Sequence, residues 1–232
     1  MYTLHIANKN YSSWSLRPWV LMRELGIAFT EHLIPFHRAE EWAAYRRIAP
    51  NGKVPCLVDG DITVWESLAI VEYLAERHSG VWPRAPVARA WSRSAAAEMH
   101  AGFGALRSIC SMSCGVRVQL HAMSPALNAD LQRLSGLWND GLRHFGGPFL
   151  AGAAFSAADA FFAPVVFRMQ TYGLPLDPAA RGYVALMLER AAMRDWYEAG
   201  LREAFRDAAH DEEIAAQGRI LEDLRAPVRA DA

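Results

Sequence analysis

The strongest constraint on this chain is a change of period near residue 77. Before that point short apolar alternations and helical stripes take turns, and beyond it helical spacing dominates. Tyr2, Leu4 and Ile6 alternate with their neighbours in the two-residue period of a strand. Leu16, Trp19, Val20 and Met22 recur at helical spacing, and Gly26 ends that element. Residues 29–34 read as a second strand, and 40–48 as a short helix closed by Pro50-Asn51-Gly52. Cys56-Leu57-Val58 and Ile62-Thr63-Val64 flank Asp59-Gly60, a strong hairpin signal. From Ser67 onward, Leu68, Val71, Leu74 and Ala75 mark one face of a helix. Strand, helix, strand, helix, strand, strand, helix predicts a mixed sheet with helices, an α/β unit.

Residues 78–88, with Gly80, Pro83 and Pro86, read as a linker between a domain at 1–77 and another at 89–232. Helices are expected over 88–120, 127–145, 156–172, 178–201 and 212–224, with a frayed end to the tail. The expected fold class is therefore α/β plus all-α, the second part a helical bundle. A length of 232 residues accommodates two domains, and 52% apolar residues can fill their cores. A net charge of −1 gives no electrostatic case for a nucleic-acid partner. No apolar run of about 18 residues is present, so no membrane span is expected. The N-terminal residues lack the basic and long apolar regions of a secretory leader. Three cysteines, Cys56, Cys110 and Cys114, are an odd and sparse set that fits a reducing, cytoplasmic compartment. Cys110 and Cys114 could share a helix face, and their expected role is packing or pocket lining. Two soft ligands without a third and fourth do not make a zinc site, so no metal is expected.

The stretch "YSSWSLR", residues 11–17, gathers hydroxyls at a strand-to-helix junction. Pro18 is tolerable in a first helical turn, which puts the expected helix start near Trp14 or Ser15. The serines are then either helix caps or hydroxyls aimed at a ligand. Taken with "KVP" at 53–55, "ES" at 66–67 and "FLAGAAFSAADAFFAP" at 149–164, the chain resembles the cytosolic glutathione transferase family. The likeness covers nearly the whole chain and is nearest to serine-type, zeta-like bacterial members. Trp14 departs from it, standing where the zeta-type loop has cysteine.

The resemblance implies a thioredoxin-like, glutathione-binding domain, a helical domain offering a second-substrate pocket, and a homodimer. It implies a cis Val54-Pro55 bond that turns the Val54 backbone toward the cysteinyl part of glutathione. Glu66 would pair with the γ-glutamyl ammonium, and Ser67 would bind its carboxylate where free N–H groups and the helix dipole attract anions. Without a ligand, the same pair would simply cap a helix. Lys53 would balance the glycyl carboxylate or only solvate its loop. Ser12, five residues before Arg17, would donate to the thiolate, ahead of Ser13 and then Tyr11; Ser13 or Ser15 would cap the helix. Met99, Phe103, Arg107 and Cys110 recur at helical spacing on a helix that faces the active site in the family, although such a stripe also reads as core. His100 reads as a polar helix residue rather than a base. Ser156 and Asp159 have capping-box spacing and a structural role, while Ala160 is too small to staple Phe155 firmly.

The implied function is conjugation of glutathione to an electrophile, which the 11% aromatic content suggests is apolar. The alternatives are a glutathione-dependent isomerase of the maleylacetoacetate type and a non-catalytic glutathione-fold binding module.

Overall fold

The computed structural model describes residues 1–36 and 38–227. Its first part runs β1 (Tyr2–Ile6), α1 (Ser13–Glu24), β2 (Phe29–Leu33), α2 (Ala39–Tyr45), β3 (Cys56–Asp59), β4 (Ile62–Trp65) and α3 (Ser67–Ala75). The strands form one sheet in the order β2-β1-β3-β4. β1 pairs parallel with β2 and antiparallel with β3, and β3 pairs antiparallel with β4 across the Asp59-Gly60 turn. The element order agrees with the sequence reading throughout this thioredoxin-like part.

Two local details differ. α1 starts at Ser13, so Pro18 lies in its second turn and the Trp14 carbonyl lacks the N–H that an ordinary residue would supply. The N-cap position belongs to Ser12, and it makes no side-chain capping bond, so neither Ser13 nor Ser15 caps this helix. α2 ends at Tyr45, three residues short of the expected end, and the chain continues in turns through Ile48.

The second part contains α4 (Pro86–Ala101), α5 (Gly104–Ile109), β5 (Val116–Leu120), α6 (Pro125–Phe145), α7 (Ala157–Tyr172), α8 (Pro178–Leu188), α9 (Ala191–Arg202), α10 (Ala208–Gln217) and β6 (Gly218–Asp223). α4 begins inside the expected linker because Pro86 takes the first helical position after an extended Ala85. The single helix expected over 88–120 is broken at Gly102, and Phe103 follows in left-handed backbone geometry (φ 55°). Cys110 closes α5 and Cys114 lies beyond it, so the two cysteines share no helix face. Val116, Val118 and Leu120 alternate along a strand that pairs antiparallel with β6. The helix expected over 212–224 is therefore α10 followed by a strand. The expectation of a frayed end concerns residues 228–232, which lie outside the described residues. The helix expected over 178–201 breaks at Arg190, whose extended backbone carries its guanidinium to Glu24 of α1 (3.0 Å).

α1 packs against α7 and α9, and the main apolar core runs from Leu4 and Leu16 through Phe161 and Trp196, with a smaller cluster of Ile34, Tyr45, Ala49 and Cys56. The anchor of the second part is Asp159, fully buried at the start of α7. Its carboxylate accepts from the Leu150 N–H (3.0 Å), the Ser156 N–H (2.9 Å), the Ser156 hydroxyl (3.2 Å) and the Tyr183 hydroxyl (3.2 Å). Burial nevertheless pushes its pKa up to about 6, against the pull of those donors. Phe155 meets Phe149 edge-on (5.8 Å between centroids), taking the apolar partner that Ala160 is too small to be. Asp159→Ala strands four donors in the core and should cost about 3 kcal/mol or more. Urea unfolding checks this: a midpoint unchanged at equal slope would show that the network does not hold the domain.

Candidate active site

The loop joining β1 to α1 turns tightly, with the Tyr11 and Ser12 N–H groups both donating to the Asn8 carbonyl (3.1 and 2.8 Å). It brings Tyr11, Ser12 and Ser13 to the wall of a cavity of about 540 Å³. The Ser12 hydroxyl donates to Ser15 Oγ (2.7 Å), which accepts in turn from the Ala7 N–H (3.2 Å). Ser13 is half-buried on the same wall. Tyr11 is committed elsewhere: its hydroxyl donates to Asp211 (3.1 Å) and accepts from Arg225 (2.9 Å), and burial pushes its pKa up to about 12.

Beside this cavity lies a smaller recess of about 290 Å³, bounded by Asn51, Pro55 and Glu66. Trp14, Lys53 and Val54 line both spaces, so the two adjoin. The Val54-Pro55 bond is cis. Glu66 occupies the N-cap position of α3 at φ 67°, a conformation uncommon for a residue with a side chain, and accepts a hydrogen bond from Asn51 (3.2 Å). Ser67 follows, fully buried, its hydroxyl accepting from Arg17 (3.5 Å). The structure thus gathers Ser12, Ser13, Lys53, Val54 and Glu66 around two adjoining spaces, with Ser67 just behind them.

The expected second-substrate residues divide. Met99 and Arg107 line the main cavity, whereas Phe103 and Cys110 are buried and do not. Phe103 turns away because the break after α4 rotates the residues that follow Gly102. Burial pushes the Cys110 thiol up to about 12. The His100 ring meets Trp14 edge-on (5.2 Å), and burial followed by the Arg17 charge lowers its pKa. Among the described residues no cluster of His, Cys, Asp and Glu could hold a metal ion.

Several lining residues lie outside the sequence expectations. Trp14 carries the Arg17 guanidinium 4.1 Å from its ring centroid and that of Arg107 at 5.6 Å. Phe36 and Trp42, stacked at 6.0 Å, form another wall, and Arg168, His210 and Glu213 complete it. Arg168 did leave a signal, a lone charge inside the apolar run from Phe161 to Met169. His210 and Glu213 left none, because nothing local ties α10 to the α1 loop.

Comparison with known proteins agrees with this architecture. A family model described as the glutathione S-transferase N-terminal domain matches residues 11–77, and its C-terminal counterpart matches 115–199. A glutathione S-transferase-like protein, OpS6, of Beauveria bassiana is 26% identical over 200 residues, covering 76% of this chain and 88% of its own. A stringent starvation protein A homolog of Pasteurella multocida is 26% identical over 178 residues, covering 74% of this chain and 79% of its own. The theta class glutathione S-transferase of Xanthomonas axonopodis pv. citri, solved with glutathione bound, shares the fold with a TM-score of 0.63 at 24% identity, over 84% of this chain and 96% of its own. With both halves matched in order over well more than half its length, the chain belongs to the glutathione S-transferase family.

Proposed function

We propose that this protein is an enzyme that conjugates glutathione to a small electrophile through a serine-stabilised thiolate. The observation that carries the reading is the junction of the two spaces at Trp14, Lys53 and Val54, next to Ser12. Glutathione laid across that junction would set its γ-glutamyl end at Glu66 and Ser67 and its cysteinyl backbone along Val54. Its sulfur would then reach Ser12, with Lys53 near the glycyl carboxylate. The γ-glutamyl carboxylate would meet the N-terminus of α3, where free N–H groups and the dipole favour an anion. The double variant Glu66→Ala, Ser67→Ala removes two charge-assisted contacts and should weaken glutathione binding by about 2–4 kcal/mol. Calorimetry on the folded variant reads this directly, and unchanged affinity would sink the placement.

A free thiol of pKa about 8.5 is only a few per cent ionised at pH 7, and lowering it by about two units requires about 2.7 kcal/mol. Ser12 can supply part of that by turning its proton from Ser15 to the sulfur. Ser15 would then donate its own proton to Ser12 while still accepting from the Ala7 N–H, so that each bond in the chain polarises the next. This relay favours Ser12 over Ser13, and the bonds already made by the Tyr11 hydroxyl place it third. Ser12→Ala should raise the bound thiol's pKa by about one to two units, the equivalent of one hydrogen bond to a charged group. Thiolate absorbance against pH checks it. A curve moved by Ser13→Ala and not by Ser12→Ala would shift the assignment by one residue.

The homodimer belongs to the same reading. β4 is an edge strand with Ile62 and Trp65 exposed (46% and 40%), apolar surface that a second subunit would cover. Sedimentation should give about twice 25.8 kDa at micromolar concentration; a monomer mass would contradict it. The zeta-like kinship rests on the Tyr11-Ser12-Ser13 loop, and a cytoplasmic location on the sparse cysteines. Two other readings have some support. An isomerase is suggested by Ser12, Ser13 and Ser15 and weakened by Trp14 where the zeta-type loop has cysteine; a maleylacetoacetate assay would reveal it. Similarity to a stringent starvation protein A homolog favours a binding module, which would bind glutathione yet turn over no electrophile in a panel.

A further inference from the structure

Three guanidinium groups converge on the main cavity, and none has a carboxylate partner. Arg17 and Arg168 are buried (2% and 5% exposed) and Arg107 is half-buried, yet all three line the cavity. Among the described residues none of the three forms an ion pair. Arg168 donates to the Cys110 and Pro164 carbonyls (2.7 and 3.1 Å), and Arg107 to the His100 carbonyl (3.1 Å). Arg17 lies over the Trp14 and Phe161 rings and donates to the Ser67 hydroxyl, and its buried Nε has no hydrogen-bond partner. A carbonyl satisfies an N–H without neutralising a cation. Burial, then repulsion from Arg168 and Arg107, outweighs the attraction of Glu66 and pushes Arg17 down to about 9. Burial takes Arg168 to about 10.

The other charged groups facing the cavity do not cancel this excess. Glu213 lines it and accepts from the neutral Ser111 hydroxyl (2.9 Å), so its single negative charge stands against three guanidiniums. Lys53 and His210 line it as well. Glu66 faces the smaller recess and is bonded to Asn51. Burying unpaired cations is costly unless an anion completes the site, and the guanidinium fork suits a carboxylate in two-pronged geometry. The remaining walls, Trp14, Phe36, Trp42 and Met99, are apolar and broad enough for an aromatic ring.

We propose that the second substrate is an electrophile with an apolar, ring-sized body and a carboxylate head, the head held by Arg107 and Arg168 with Arg17 behind them. This rests on the conjugation reading and names the substrate class of the same site. For an activated aryl chloride of this kind the thiol proton leaves to solvent and the thiolate attacks the carbon bearing chlorine. A carbon–sulfur bond forms, and chloride departs with the pair of the broken bond.

The test compares 4-chloro-3-nitrobenzoate with 4-chloro-3-nitrobenzamide, which match in size and differ in charge. Calorimetry with the protein saturated by S-methylglutathione measures binding without turnover. The benzoate should bind at least tenfold tighter than the benzamide, and Arg107→Met should bring the ratio close to one. The benzamide affinity of that variant reports whether the cavity is still folded, and Arg168→Met provides a second reading. Equal affinities in the unmodified protein would overturn the proposal, as would a preference that survives both substitutions. A preference present without S-methylglutathione and abolished by it would also overturn it, since the arginines would then be serving glutathione's own carboxylates. If the preference holds and glutathione itself converts neither compound, the carboxylate site stands and the conjugation reading falls.

Discussion

The loop that carries Ser12 is held from the far side of the molecule. One carboxylate, that of Glu203 just after α9, accepts from the N–H groups of both Lys9 and Asn10 (2.6 and 3.1 Å). The Lys9 carbonyl accepts from the Trp196 indole (2.8 Å), and the Asn10 carbonyl from the Cys114 N–H (3.1 Å). The Asn10 side chain accepts from the Gly115 N–H (3.0 Å). α9 can come this close because of Gly200, where a Cβ would sit 3.3 Å from the Asn10 nitrogen. The residues that hold Lys9 and Asn10, just before Ser12, thus belong to the second part of the chain, while Asn8 and Ser15 of the first part bond Ser12 itself. Under the proposed mechanism the Ser12 hydroxyl would meet a sulfur within hydrogen-bonding distance and would draw on that rigidity, because a loop satisfied only by water would spread the same group over many orientations.

Trp14 joins this frame to the charge beneath it. Its indole packs against two guanidiniums and the edge of His100, and the ring's negative face attracts both cations. Where the zeta-type loop carries a cysteine, this chain therefore has an aromatic plate that bounds both cavities. The positive field at the cavity floor favours any anion nearby, a thiolate as well as a carboxylate. Thiol ionisation and recognition of the second substrate would then draw on the same buried charge.

Much of this was legible in the sequence because it is local. Alternation in β1, the Asp59-Gly60 turn and the Ser156–Asp159 spacing each act within a few residues and sit where local rules place them, whereas the cis Val54-Pro55 bond is expected from the family resemblance alone. The β5–β6 ladder joins segments about a hundred residues apart. Val116-Arg117-Val118-Gln119-Leu120 does carry a two-residue period, but its partner Gly218–Asp223 is almost wholly exposed and has no matching alternation. The period marks β5 as a strand, but nothing in either sequence marks the other as its partner. The break at Gly102 was hidden for a different reason, since helical composition resumes directly after it and only the left-handed Phe103 redirects the face. Phe103 and Cys110 turn into the core while Met99 and Arg107 stay on the cavity.

The segment after α9 lies beyond the stretch matched by the C-terminal family model, which ends at residue 199. It is nonetheless built into the site. Arg225, its side chain 4% exposed, donates to Asp211, Asp223 and the Tyr11 hydroxyl, binding the chain end to the loop that carries Ser12. The Asp207 N–H donates to the same Tyr11 oxygen (3.3 Å), and the His210 ring rests against both Tyr11 and Phe36. A phenol tied to an aspartate, an arginine and a backbone amide has no free proton to offer a sulfur. This strap therefore accounts for two features together: it closes one side of the cavity with His210 and Glu213, and it commits the Tyr11 hydroxyl, so that under the proposed mechanism the serines beside it would be the available donors.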